Sequence, residues 1–448
     1  MSDTYDFLVI GAGSGGLAAA KRATQYGANV AIVEQEHLGG TCVNRGCVPK
    51  KLMVYAADVA HQMQLAKTYG WQIQQQGFDW QAFKQARDQE IERLRQVQQT
   101  ALQKAGVEQI QGHACFVDAH TVRVGERSIN AETILIAVGG QPIQPDLPGI
   151  EHTITSREIF HLATLPNRLA IIGAGYVGVE FASMMQSFGC EVTLLNRESC
   201  ILPGFDQDLT GTLRKRLRQR GINSLCNTTA KAIQKSPNGL KLTLTGDHSE
   251  TIVADTILCA IGRSPNLENL GLDKAGIRYS KKAIEVDDYS RTNQPNVYAI
   301  GDCTNRLPLT PVAIAEGKAV ADIVFGKQPR KIEYDYVPSA VFARPEAASV
   351  GMTEAQANER FGTENIKCDC TTFHPMLYSF SESPSSMLMK FVIHQKTDRI
   401  LGLHLVGEHA ADIIQGFTIS IKQGITRQAI TDAIGIHPTS AEELFHSF

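Results

Sequence analysis

The chain has 448 residues, 43% of them hydrophobic and 20% charged, with a formal net charge of −3. That length allows three domains of ordinary size with large cores. The near-neutral balance gives no basis for binding nucleic acid or an anionic membrane, and no run of about 18 apolar residues suggests a membrane span.

Residues 1–4 lead at once into a strand pattern, which leaves no room for a signal or transit peptide and predicts a cytoplasmic location. Residues 6–16 form an apolar strand that enters G-x-G-x-x-G at Gly11, Gly13 and Gly16, with Ser14 and Gly15 inside the motif. Such glycines allow a tight turn and bring a pyrophosphate close to a helix N-terminus. A helix, Gly27 and a second strand at 29–33 follow, and the strand ends at Glu34, a carboxylate placed to accept hydrogen bonds from an adenosine ribose. The first nucleotide site therefore fits FAD or NAD.

Cys42 and Cys47 come next, separated by four residues, with Thr41 before them and Pro49, Lys50 and Lys51 after. A structural zinc site needs four ligands, and no second Cys/His pair with metal spacing is present, so no metal is expected. The plant-type iron–sulfur run requires a third cysteine where Lys50 stands. Two unrelated core thiols are the bland alternative. The proline suits a first helical turn, which places Cys47 at a helix N-terminus beside two lysines. Both features stabilise a thiolate, the form needed for redox exchange. The other eight cysteines read as small buried hydrophobes, with Cys368 and Cys370 on one side of a strand.

Residues 72–76 are Gln-rich and read as a surface loop, and residues 82–104 as a charged amphipathic helix. Residues 133–138 are a buried strand that ends at Gly139 before a Pro-rich link. The strand–glycine device then recurs, with Gly173, Gly175 and Gly178 after residues 169–172, and Tyr176 inside the motif. A lone motif of this kind is weak evidence, but two copies in the same strand–helix–strand setting are strong. Aligning Gly11 with Gly173 puts Asn196 opposite Glu34. Asn196 lacks the charge and Arg197 can meet a 2′-phosphate, so the second site leans to NADP. Gly262 and Arg263 close this unit, although Arg197 could also be a solvated loop cation. A further strand, 296–300, ends at Gly301-Asp302. From about residue 336 strands alternate, and helices follow. The C-terminal stretch holds His437, whose imidazole can give a proton to a leaving thiolate, and Glu442, which could orient it. Thr439-x-x-Glu442 is also a capping box, so Glu442 could equally just complete a helix.

These motifs, with Leu309-Thr310-Pro311, resemble the pyridine-nucleotide disulfide oxidoreductases over the whole chain, and within them the glutathione branch of cyanobacterial and plant type. The resemblance implies an α/β fold of two Rossmann-like dinucleotide-binding domains and an α+β C-terminal dimerisation domain. Its divisions fall at 1–148 (FAD), 149–265 (NAD(P)), 266–335 (return to the FAD domain) and 336–448 (dimerisation). It implies FAD held by Gly11, Gly13, Ser14, Gly15, Gly16, Glu34, Thr41, Lys50, Gly139, Asp302 and Thr310, and NADPH held by Gly173, Gly175, Tyr176, Gly178, Asn196, Arg197, Gly262 and Arg263. Cys47 would face the flavin and Cys42 would exchange with substrate. Lys51 would pair with Glu180 near the flavin, and Tyr176 would gate the nicotinamide. His437 and Glu442 would serve the cysteines of a partner subunit, making the active site a shared property of a homodimer.

Glutathione disulfide is the implied substrate, met by Ala18, Lys21 and Lys318. Lysines stand where the branch usually has arginines, Pro203 stands at a second phosphate-binding arginine, and Gln98 at a contacting tyrosine. The retained positive charge suits glutathione's carboxylates and argues against the cationic trypanothione. Three alternatives remain at this point. Asn196-Arg197 and Lys50 disfavour a dihydrolipoamide dehydrogenase, and the absence of C-terminal thiols disfavours a mercuric reductase. A nucleotide-binding redox sensor without turnover is the third.

Overall fold

The computed structural model describes residues 3–74, 77–381 and 385–446. The chain forms two compact units, each assembled from three stretches of sequence.

The first unit comprises residues 1–52, 80–143 and 262–333. Its sheet runs Glu108–Gln111, Val30–Glu34, Asp3–Ile10, Arg127–Ile136, with Val297–Ala299 also paired to the last of these. All these pairings are parallel. Thr121–Val124 and Ala114–Phe116 extend the sheet antiparallel. Both faces of the sheet's centre are covered, which is why residues 7–10 and 30–33 are continuous apolar runs. In Asp3–Ile10, Leu8 and Ile10 enter one core and Phe7 and Val9 the other. The helix Ser14–Thr24 packs so closely on Thr310–Val324 that a Cβ on Gly317 would lie 2.3 Å from the Gly15 carbonyl.

The second unit comprises residues 53–79, 144–261 and 334–448. It contains a parallel sheet ordered Asn223–Leu225, Glu191–Leu195, Arg168–Ile172, Thr256–Cys259. An antiparallel meander follows, Thr228–Ser236, Gly239–Gly246 and Thr251–Ala254. The C-terminal part is a five-stranded antiparallel sheet with the helix Ala410–Lys422 against it. In that sheet Met387–His394 and Arg399–Val406 pair along their length.

The units divide the chain differently from the four expected stretches. The ribbon Gly140–Pro142 with Arg263–Pro265 belongs to the first unit, so the divisions fall after Ile143 and before Gly262. Residues 53–79 join the C-terminal region instead of the first motif's unit. Asp58 pairs with Arg344, and the Tyr69 ring meets Phe380 edge-on at 5.0 Å. The second nucleotide motif and the C-terminal sheet also share this unit. Lys390, buried in Met387–His394, donates to Asp206 at 3.0 Å and to Asp208 and Glu354 at 2.6 Å each. Asp206 caps the helix Gln207–Gln219 as well. Burial disfavours the charged ammonium, and the hydrogen bonds and charge of the three carboxylates outweigh it and hold the group protonated.

The expected helix at 82–104 is Trp80–Lys104. In the Gln-rich stretch Gln72 and Gln74 are exposed coil, while residues 75 and 76 lie outside the described residues. Among the described residues, no helix is long and apolar enough to cross a membrane, and no group of acidic, His and Cys side chains could hold a metal.

Candidate active site

The two glycine motifs solve one steric problem twice. Gly11 has φ +104° and Gly173 φ +106°. A Cβ on Gly11 would stand 2.4 Å from the Ala137 carbonyl, and one on Gly173 would stand 2.5 Å from that of Ala260. A Cβ on Gly16 would fall 2.0 Å from the Gly11 carbonyl, and one on Gly178 would fall 1.9 Å from that of Gly173. At the middle positions, Gly13 and Gly175, nothing in the chain lies within 4 Å. Both loops thus keep an open face at a helix N-terminus, where a dinucleotide pyrophosphate fits.

Glu34 braces the first loop by accepting the Ala12 amide at 2.8 Å on one oxygen and the Glu36 amide at 2.9 Å on the other. Each oxygen keeps a lone pair for a ribose hydroxyl. A second brace, which the sequence reading missed, is Glu316. It is buried in the helix Thr310–Val324 and accepts the Gly301 amide at 2.7 Å, fixing the turn that carries Asp302. Arg263 donates to the Gly140 carbonyl and lies 3.4 Å from Asp302 Oδ2. It therefore also stands beside a residue assigned to the flavin.

The cysteines are set directly on the first motif. Gly39 (φ +94°) donates its amide to the Ala12 carbonyl at 2.8 Å, and a Cβ on Gly40 would approach Gly13 Cα to 2.7 Å. Cys42 lies in the short helix Gly40–Arg45, and Cys47 opens Cys47–Thr68 after a break at Gly46. Asn44 is buried and locks the first turn by donating to the Gly40 and Leu38 carbonyls at 2.8 and 3.0 Å. Arg95 holds the Asn44 side-chain oxygen at 2.6 Å.

Cys42 and Cys47 are free thiols that hydrogen-bond to each other, and their acidities are pushed apart. Cys47 falls to about 6, first because Cys42 donates to it, then through Thr310 and the charge of Lys50, against the opposing effect of burial. Its Sγ is 3.5 Å from Thr310 Oγ1. Cys42 is raised, mainly by giving its hydrogen to Cys47, and further by burial and the neighbouring thiolate. The arrangement holds one thiolate and one thiol, the asymmetry that thiol–disulfide exchange requires.

Lys21, Lys318 and Gln98 come together. Lys21 Nζ is 3.4 Å from Gln98 Oε1, and its pKa is lowered by burial and then by the charge of Lys318. Ala18 lies partly exposed one helical turn from Lys21. Lys51 is in the first unit. Glu180 is buried in the second, where it accepts the Phe342 amide at 2.9 Å. Tyr176 is exposed at the start of its helix.

His437 also belongs to the second unit, and its ring is 80% exposed. Its Nδ1 is 3.0 and 3.1 Å from the two oxygens of Glu442. Glu442 at the same time completes the capping box with Thr439. One carboxylate thus caps the N-terminus of the turn and meets the ring. Ile434 and Ile436 beside it are among the most exposed apolar side chains described.

Residues 5–317 match the family described as pyridine nucleotide-disulphide oxidoreductase, and residues 337–447 match its dimerisation domain. The chain belongs to this family. Its members are flavoenzymes that use FAD and a nicotinamide nucleotide, which the two open glycine loops can accommodate. Relatives matching almost the whole chain are named glutathione reductase. One from Nostoc sp. is 48% identical, covering 99% of each chain, and one from Schizosaccharomyces pombe is 42% identical, covering 99% of this chain and 98% of its own. A chloroplastic/mitochondrial one from Pisum sativum is 40% identical, covering 98% of this chain and 81% of its own.

Proposed function

We propose that this chain is a homodimeric, cytoplasmic enzyme that reduces glutathione disulfide with NADPH, using FAD and the Cys42–Cys47 pair. The observation that carries this reading is the thiolate–thiol asymmetry of two cysteines packed on the first dinucleotide loop. Gly11, Gly13, Ser14, Gly15, Gly16, Glu34, Thr41, Lys50, Gly139, Asp302 and Thr310 hold FAD. Gly173, Gly175, Tyr176, Gly178, Asn196, Arg197, Gly262 and Arg263 hold NADPH, and Arg263 also lies 3.4 Å from Asp302. When bound, FAD supplies a two-electron relay between a nicotinamide hydride and a disulfide.

The side chains do the rest. Cys42 gives up its proton to His437 of the partner subunit and attacks one substrate sulfur, forming a mixed disulfide. The departing glutathione thiolate takes the proton from His437 of the partner subunit. The Cys47 thiolate then attacks Cys42 Sγ, releasing the second glutathione thiolate and closing the Cys42–Cys47 bond, which the electron pair of NADPH reopens. One disulfide is reduced as one NADPH is oxidised. Glu442 fixes the imidazole, and Lys21 and Lys318 attract the substrate carboxylates. Steady-state NADPH oxidation with glutathione disulfide, lipoamide and trypanothione disulfide in parallel tests the assignment. Preference for lipoamide or trypanothione disulfide refutes it.

A further inference from the structure

The loop after Glu191–Leu195 carries the cation assigned to the 2′-phosphate of NADPH, and it also carries that cation's counter-charge. The Arg197 side chain is 81% exposed, and its Nε stands 3.1 Å from Glu198 Oε1. Asn196 is buried, and its Nδ2 donates to the Glu198 carbonyl at 2.9 Å and the Cys200 carbonyl at 2.6 Å. The side-chain amide is thus committed to shaping the loop, and the turn it makes keeps Glu198 next to Arg197. Pro203 brings no charge. Arg214 reaches the loop from the helix Gln207–Gln219, with its Nη1 on the Ser199 carbonyl at 3.3 Å.

We propose that Glu198 is a specificity-determining residue that limits preference for NADPH over NADH by holding the Arg197 guanidinium in a neutral pair. This rests on the reading that the second glycine motif takes NADPH with its 2′-phosphate at Arg197. A phosphate monoester near neutral pH carries close to two negative charges and is best met by the guanidinium fork. Here the phosphate must either displace a carboxylate already on Nε or bind beside it. Both routes take away part of the attraction, and NADH, which has no such phosphate, encounters neither. Discrimination depends on what repels a ligand as much as on what attracts it. The pair is exposed, so its influence is modest.

The test uses full-length holoenzyme with saturating glutathione disulfide. It compares kcat/KM for NADPH and for NADH in the wild type, Glu198→Gln, Arg197→Met and the double variant. Glu198→Gln raises the NADPH/NADH ratio roughly two- to fivefold, through a lower KM for NADPH. Arg197→Met collapses the ratio, and in that background Glu198→Gln adds nothing. An unchanged or lower ratio in Glu198→Gln overturns the proposal, as does an equal gain in the Arg197→Met background. A ratio left intact by Arg197→Met would instead show that the phosphate does not sit at this arginine, which separates failure of the underlying reading from failure of the inference.

Discussion

Replacing Cys42 by alanine and by serine separates hydrogen bonding from mere proximity as the cause of the acidic Cys47. In the dithiol form Cys47 falls from its ordinary 9.0 to about 6, and the largest cause is the hydrogen donated by Cys42. At pH 7 a midpoint of about 6 gives roughly ten thiolates per thiol, whereas the ordinary value gives roughly one per hundred. A hydrogen bond to a charged acceptor contributes roughly 1.5–3 kcal/mol, equivalent to about one to two pH units. Cys42→Ala removes the donor and leaves Thr310 and Lys50, so the midpoint should rise to between about 7 and 8. The thiolate fraction at pH 7 then falls from about nine-tenths to between one-half and one-tenth. Cys42→Ser keeps an O–H donor and should stay near the wild-type midpoint. The assay is ultraviolet thiolate absorbance against pH, with the prereduced protein kept free of oxygen. A Cys42→Ala midpoint within a few tenths of wild type would refute the reasoning. A serine variant shifted as far as the alanine variant would do the same.

Cys42→Ser should abolish disulfide reduction while NADPH oxidation by a small dye acceptor persists; retained disulfide turnover would reassign the exchange thiol. His437→Ala should lower disulfide reduction by roughly 10²–10⁴-fold with dye reduction spared, and Glu442→Gln should cost less, since it loosens the ring without deleting it; equal losses in both activities would count against a proton-transfer role. Gly13→Ala should fold normally, because a Cβ there meets nothing in the chain, yet purify with less bound flavin, whereas Gly16→Ala should fail to fold because its Cβ lies 2.0 Å from a carbonyl; absorbance spectra and thermal melts distinguish the two. Buried Arg427 donates from Nε to buried Asp369 at 3.2 Å, and Lys367 also reaches Asp369 at 2.9 Å; Arg427→Met should destabilise the protein by about 3 kcal/mol in denaturant titration, at the low end for a broken buried pair because Lys367 still neutralises Asp369, and a loss below about 1 kcal/mol would show the pair to be dispensable.

The parts of this molecule that read clearly from sequence are those whose signal is local. The glycine repeats, the cysteine pair before a proline, and Thr439-x-x-Glu442 each put their chemistry within one turn of chain. What escaped notice depends on contacts that residue type and periodicity do not show, several of them between residues far apart in the chain. Lys390 sits in an apolar strand with no acidic neighbour, and its partners Asp206, Asp208 and Glu354 come from two other segments. Residues 53–68 continue a helix that begins at Cys47, so nothing in their periodicity reveals that they join the C-terminal region. Asn196 appeared as the missing charge of a ribose site. Its side chain also shapes the loop, which only the carbonyls of Glu198 and Cys200 disclose.

His437 extends into solvent just after two bare isoleucines, Ile434 and Ile436. If its counterpart is the dithiol of a second chain, two dead proteins can make a live one. Mixed and allowed to exchange, Cys42→Ser and His437→Ala chains would form hybrids with one intact and one doubly crippled centre. With random pairing of equal amounts, about a quarter of native activity should return from preparations that have none apart.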